Sequence, residues 1–207
     1  SARQKARQDE QAVQENATVA LAALVQEPQE LKALLAERTQ SMPPERRAAV
    51  CLQAQQANVS AALMQGEEPQ AAAMLQAFGS AWPQAARQGA LKRLTVQAAD
   101  KAAQTLYKNA LEAGENPSAW QAQEAQKRVA EFTQHLPEVV RQQAQSAWQG
   151  VVQKQKAAAA RAQAGQLDTL IKAVSGGDEK SARGALFSLA QMAPQEADTF
   201  SRAAQAA

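Results

Sequence analysis

Along the chain, apolar residues recur at helical spacing and are cut by a few sharp polar breaks. Ala71, Met74, Leu75, Phe78 and Trp82 fall at i, i+3, i+4, i+7 and i+11, which places them on one face of an α-helix. Leu167, Leu170, Ile171 and Val174 repeat the first four of those steps. Further faces are expected from Ala48, Leu52, Val59, Ala62 and Leu63, and from Leu91, Leu94, Ala98, Ala102, Leu106 and Ala110. Ala125, Val129, Phe132 and Leu136 give another. A long helix over residues 138 to about 165 would carry Val140, Ala144, Trp148, Val151, Ala158 and Ala162. Gly150 weakens it by about 1 kcal/mol relative to alanine. The last stripe is Ala182, Ala185, Leu186, Leu189 and Ala193, closed by Pro194.

A residue before proline avoids the α region, so Glu27-Pro28, Trp82-Pro83 and Leu136-Pro137 read as helix ends. Pro43-Pro44 marks a break and restart, because a first-turn proline gives up only an N–H that had no partner. Asn116-Pro117 reads as an N-cap followed by an N1 proline. Residues 1–16 are polar nearly all round, the pattern of a frayed helix or of a helix that needs a partner.

One pattern is written three times. Aligning Gly66 with Gly114 and Gly177 brings Ala62 onto Ala110 and Ala173, and Leu63 onto Leu111 and Val174. Glu67 then meets Glu115 and Asp178, Ala71 meets Ala119 and Ala182, and Pro83 meets Pro194. Each copy reads as an αα-hairpin corner. A helix ends on a glycine free to take positive φ, an acid caps the next helix, and an alanine permits close approach. The copies are unevenly spaced, unlike a tetratricopeptide or ankyrin array. Genuine duplication and the common grammar of helical hairpins both account for them.

Composition agrees. Hydrophobic residues make up 45% of the 207 and aromatics only 4%, with nine Gly and eight Pro. Most of the remainder is Ala, Gln, Glu, Lys, Arg and Leu, which lose little on entering a helix. The expected fold is all-α: irregular stacked αα-hairpins forming an elongated helical bundle or short solenoid. Residues 1–26 are expected to form a polar N-terminal helix or arm, residues 27–114 a first hairpin region, and residues 115–207 a second one containing the long helix.

Twenty-two basic and twenty acidic residues leave a formal net charge of +2, too balanced to imply nucleic acid by itself. Arg87, Lys92, Arg93, Lys101 and Lys108, with Lys154, Lys156 and Arg161, form either a solvated surface or a set of candidate nucleic-acid contacts. Cys51 is the only cysteine, so no internal disulfide can form. The longest apolar run, ATVALAALV at residues 17–25, is shorter than a membrane span and lacks the flanks of a signal peptide. A cytoplasmic or particle-associated location is expected. Because the chain begins at Ser1 rather than Met, it reads as trimmed or cut from a longer polypeptide.

Reactive chemistry is sparse. His135 is the only histidine, and it is either a general acid or a helix-end residue beside the Leu136-Pro137 break. No spacing suits a metal cluster, a Walker loop or a dinucleotide fingerprint, so no cofactor is expected. Trp82, Trp120 and Trp148 read as core anchors or as a base-stacking platform. The stretch VVQKQKAAAARAQAGQ at residues 151–166 and the N-terminal arm read either as plain exposed helix or as candidate partner contacts, including self-association.

At two of the corners, ALMQGEEPQAAAMLQAFGSAW (residues 62–82) and LIKAVSGGDEKSARGALFSLAQMAPQEADTF (residues 170–200), the chain resembles the alanine-rich helical hairpins of phage internal virion, or DNA-ejection, proteins. The resemblance covers about a third of the chain and is a pattern of corners without a signature residue. It implies a structural protein packaged in a particle, oligomeric, touching DNA or a membrane during delivery. Some such proteins carry a transglycosylase domain elsewhere, but no active-site residue carries over to this chain. The expected function is a non-enzymatic scaffold or virion-type assembly module. The alternatives are a nucleic-acid-binding helical domain and a helical accessory domain of a larger enzyme.

Overall fold

A computed structural model describes residues 2–192, and every regular element in them is helical. The α-helices are α1 (Ala2–Ala22), α2 (Pro28–Thr39), α3 (Pro44–Gln65), α4 (Glu68–Phe78), α5 (Gln84–Glu112), α6 (Ala122–Phe132), α7 (Glu138–Ser175) and α8 (Glu179–Met192). Short 3₁₀ turns occupy Gly79–Ala81 and Pro117–Ala119. Ser1, Ala193 and Pro194, which entered the arm, the last stripe and the third corner alignment, lie outside the described residues. Among the described residues no helix is long and apolar enough to cross a membrane.

The described residues divide into two compact units, one built from residues up to 105 with 128–147, the other from residues 106–127 with those from 148 onward. In the first unit α1 packs on α2 and α3, and α3 packs on α4. Ala22, Leu31, Leu35, Ala54, Val59, Ala62, Ala71, Met74 and Trp82 are among its core residues. Aliphatic and alanine side chains dominate, and Trp82 donates its indole N–H to Gln55 Oε1 at 3.0 Å. The polar helix α1 has its partner inside the chain: Arg46 of α3 pairs with Glu15 and donates to Gln11 Oε1 at 3.0 Å.

Two expected faces are corrected. On α3 the buried line is Val50, Ala54, Asn58 and Ala62, flanked by Val59 and Leu63, whereas Ala48 is exposed and Leu52 half-buried. Helices α1, α2 and α4 all touch α3, so its buried band is broader than one stripe. On α5 the most buried line is Ala90, Ala99, Ala103, Tyr107 and Ala110, while Leu91 is exposed and Leu94, Ala98, Ala102 and Leu106 are half-buried. Small side chains take the deepest positions and leucines the border, where hydrophobicity alone would have put the leucines deepest.

The second unit holds an aromatic cluster and the α7–α8 hairpin. Trp120 and Trp148 stack at 5.2 Å with their planes 11° apart, and Tyr107 lies tilted against Trp148 at 5.9 Å. Tyr107 Oη and Ser118 Oγ are hydrogen-bonded at 2.8 Å. The expected end of the long helix near residue 165 is corrected: α7 continues through Gly165 to Ser175. A helical glycine costs about 1 kcal/mol but does not end a helix unless it turns left-handed. Among the described residues only Gly66, Gly114 and Gly177 have positive φ, at 78°, 77° and 70°.

Those three glycines close the same motif. Gly66 N–H donates to Leu63 O and Glu67 N–H to Ala62 O at 2.9 Å. Gly114 and Glu115 bond to Leu111 and Ala110 in the same way, and Gly177 and Asp178 to Val174 and Ala173. Each is a Schellman ending that satisfies carbonyls a helix leaves free. The three corners then diverge. The first and third lead into α4 and α8. The second leads into the 3₁₀ turn Pro117–Ala119, where Asn116 Oδ1 accepts from Ser118 N–H and Ala119 is exposed. The expected acid cap is made by Asp178, which accepts from the Ser181 N–H at 3.1 Å and hydroxyl at 2.6 Å. Glu67 stands at the N-cap of α4 but makes no side-chain cap bond. Aspartate is the better N-cap because its shorter side chain reaches the second and third N–H groups directly.

Candidate functional site

The basic residues picked out by sequence do not act as one group. Lys101 donates to Glu68 Oε2 at 2.7 Å and to Gly66 O at 3.0 Å, while Gln97 donates to Leu63 O at 2.7 Å and Glu68 Oε1 at 3.2 Å. Helix α5 thus clasps the first corner, and Lys101 serves the fold. Burial alone would raise the Glu68 carboxyl, but bonds from Lys101, its own backbone N–H and Gln97 outweigh it and hold the group below the usual carboxylate range. The same carboxylate raises the Lys101 ammonium. Lys108 is drawn to Glu112, 3.6 Å away. Arg87, Lys92 and Arg93 are exposed, and at about 100° per residue they fan around α5 without sharing a face.

His135 lies exposed in the turn between α6 and α7. Glu138 is engaged by Gln142 and Arg141, whose hydrogen bonds lower its carboxyl, so it is not aimed at the histidine. Trp148 is buried and its ring face is taken up by Trp120, the arrangement of a core anchor. Among the described residues no group of three His, Cys, Asp or Glu could hold a metal ion.

Helix α7 presents a long run of exposed helical surface. Trp148 and Val151 are buried near one end of its second-unit segment, and Leu170 and Ala173 near the other. Between them residues 153–162 are exposed on every side, so Ala158 and Ala162, expected on the buried face, are instead at the surface. Among the described residues nothing packs on this stretch; Ala, Gln, Lys and Arg keep it helical by propensity. Lys154, Lys156 and Arg161 are its charges, and no carboxylate lies between Glu138 and Asp168. Beyond it, among the described residues, the α7–α8 hairpin buries Leu170, Ala173, Ala185 and Leu189, with Leu167, Val174, Ala182 and Leu186 partly covered. Ile171 and Phe187 on the same hairpin are 63% and 65% exposed. A two-helix core this small leaves apolar surface that a further helix can cover.

Comparison with family models, with curated proteins and with solved structures returns no match.

The glycine corners are legible in the sequence; the free stretch of α7 is only partly so, since Ala158 and Ala162 fit a helical stripe. The Asn58 cap and the bonds of Gln97 and Lys101 to the first corner are not legible there. Asn58 falls on the i+4 series Val50, Ala54, Asn58, Ala62, and that spacing is the signal that marks it as buried.

Proposed function

We propose that this chain is a non-enzymatic helical scaffold that docks a helical partner along α7 and the α7–α8 hairpin. The observation that carries the reading is the run of residues 153–162, exposed all round on a helix whose flanking turns are packed. Ile171 and Phe187 supply the apolar anchors, and the thin hairpin core gains from a third or fourth helix. In the virion-type version that the sequence resemblance implies, the partner is another component of a particle, a second copy included. Sedimentation velocity on the full chain tests self-assembly. The chain is expected to sediment faster as its concentration rises, and Phe187→Glu to return it to monomer. A monomer at every concentration sinks this form of the proposal.

A second reading, nucleic-acid binding, is favoured by one observation: Lys154, Lys156 and Arg161 form no ion pair among the described residues. Three phosphate contacts predict that log K falls with log salt at a slope of about −3. Absence of binding at low salt removes it.

A further inference from the structure

The first unit carries a cleft of about 760 Å³ bounded by α2, α3 and the end of α4, within the size range of small-molecule sites. Its α3 wall is a single stripe, Arg47, Cys51 and Gln55, one residue per turn. Leu35 and Phe78 give it an apolar floor, and Lys32 and Ala36 stand on the α2 rim. Arg47 is fixed in place, donating to Thr39 O at 3.1 Å, Gln40 O at 2.8 Å and Met42 O at 3.2 Å, which also closes the C-terminal end of α2. Lys32 is exposed and forms no ion pair among the described residues. Two cations and no carboxylate line the cleft.

We propose that this cleft binds a free single-chain amphiphilic anion of the fatty-carboxylate type. The apolar chain lies over Leu35 and Phe78, along α2 from Lys32 toward Thr39, about 10 Å at the helical rise. The carboxylate pairs with Lys32 at one end of the cleft, while Arg47, at the other end, keeps its bonds to the Thr39, Gln40 and Met42 carbonyls. The absence of lining acids selects the sign of the headgroup, and the apolar floor selects the tail. Helix α4 bounds the cleft with Phe78, which suits a compact molecule better than a helix running through. This site lies in the first unit and stands or falls separately from docking on α7.

Cys51 is the only thiol in the chain and lies half-buried on the cleft wall, so its reaction with N-ethylmaleimide reports occupancy. Dodecanoate below its micellar concentration is the probe. The rate is expected to fall saturably, by about tenfold at ten times the dissociation constant. Dodecanol, dodecyltrimethylammonium and anionic phospholipid vesicles at matched concentration are expected to leave it unchanged. Lys32→Glu and Ala36→Glu, both at exposed helical positions, are expected to keep the helical circular dichroism and the unprotected rate but to lose the protection. An unchanged rate with dodecanoate overturns the proposal. Equal protection by the cationic amphiphile, or protection by vesicles or an acidic helical peptide alone, overturns it too.

Discussion

Asn58 is fully buried in the middle of α3, where an apolar residue would be expected. Helix α1 ends without a glycine, and Asn58 Nδ2 closes it by donating to Ala22 O and Val25 O, each at 2.7 Å. Gln70 adds a third bond, to Val25 O at 2.9 Å. A side chain from a neighbouring helix thus replaces the Schellman ending that the chain uses three times elsewhere. Asn58→Ala leaves these carbonyls short of donors and is expected to cost about 1–3 kcal/mol in urea unfolding. Asn58→Asp is expected to cost more, because it sets a carboxylate against two carbonyl oxygens. The Glu68–Lys101 pair makes a prediction in pH. Above the ordinary carboxylate value of 4.5 Glu68 is charged in both the folded and the unfolded chain, and its contribution is complete. That contribution drains away as the pH falls below 4.5 toward the lowered folded value. Lys101 runs the other way, with its contribution complete below 10.5 and lost as the pH rises past it. Melting temperatures across pH should show both limbs, and Glu68→Gln should flatten them.

At the scale of elements, helix α7 combines two regimes in its 38 residues. Its packed turns, around Trp148 and Leu170, open only when their contacts open. Residues 153–162 have backbone hydrogen bonds but no packing to hold them, and such stretches open locally at small cost. Amide hydrogen exchange is expected to be faster there than in either flanking segment, and uniform protection along α7 would contradict the exposure of those turns. Glycine and proline made the helix ends legible in sequence, because the backbone conformations of those residues are set locally. The buried faces were less legible. Ala98 and Ala99 look alike to any hydrophobic pattern, yet one is half-buried and the other fully buried. In an alanine-rich helix the neighbouring element decides which methyl is covered, and the helix's own sequence carries little of that choice. The free stretch of α7 was half legible: a run of Ala, Gln, Lys and Arg offers no large side chain to bury, yet Ala158 and Ala162 fit a helical stripe that nothing covers among the described residues.

At the scale of the molecule, the division into two units falls inside helices. Residue 105 lies within α5, residue 127 within α6 and residue 147 within α7. Independent domains are joined by exposed linkers, whereas here the boundaries fall inside three helices. Unfolding followed by tryptophan emission in a Trp82→Phe variant, which keeps only the second-unit indoles, is expected to coincide with loss of helical circular dichroism. Two separated transitions would instead make the units independent. The all-α class was readable from composition and breaks, because helix propensity and capping act over a few residues. The interleaving was not, since it depends on contacts between segments distant in the chain.

The bare turns of α7 act as a dial. Each residue added to or removed from them moves the far hairpin along the axis by about 1.5 Å and swings it by about 100°. Neither the tryptophan stack nor the leucine contacts between α7 and α8 would register the change. A residue slipped into the alanine run would therefore re-aim Phe187 while the packed contacts described at either end of α7 stay the same.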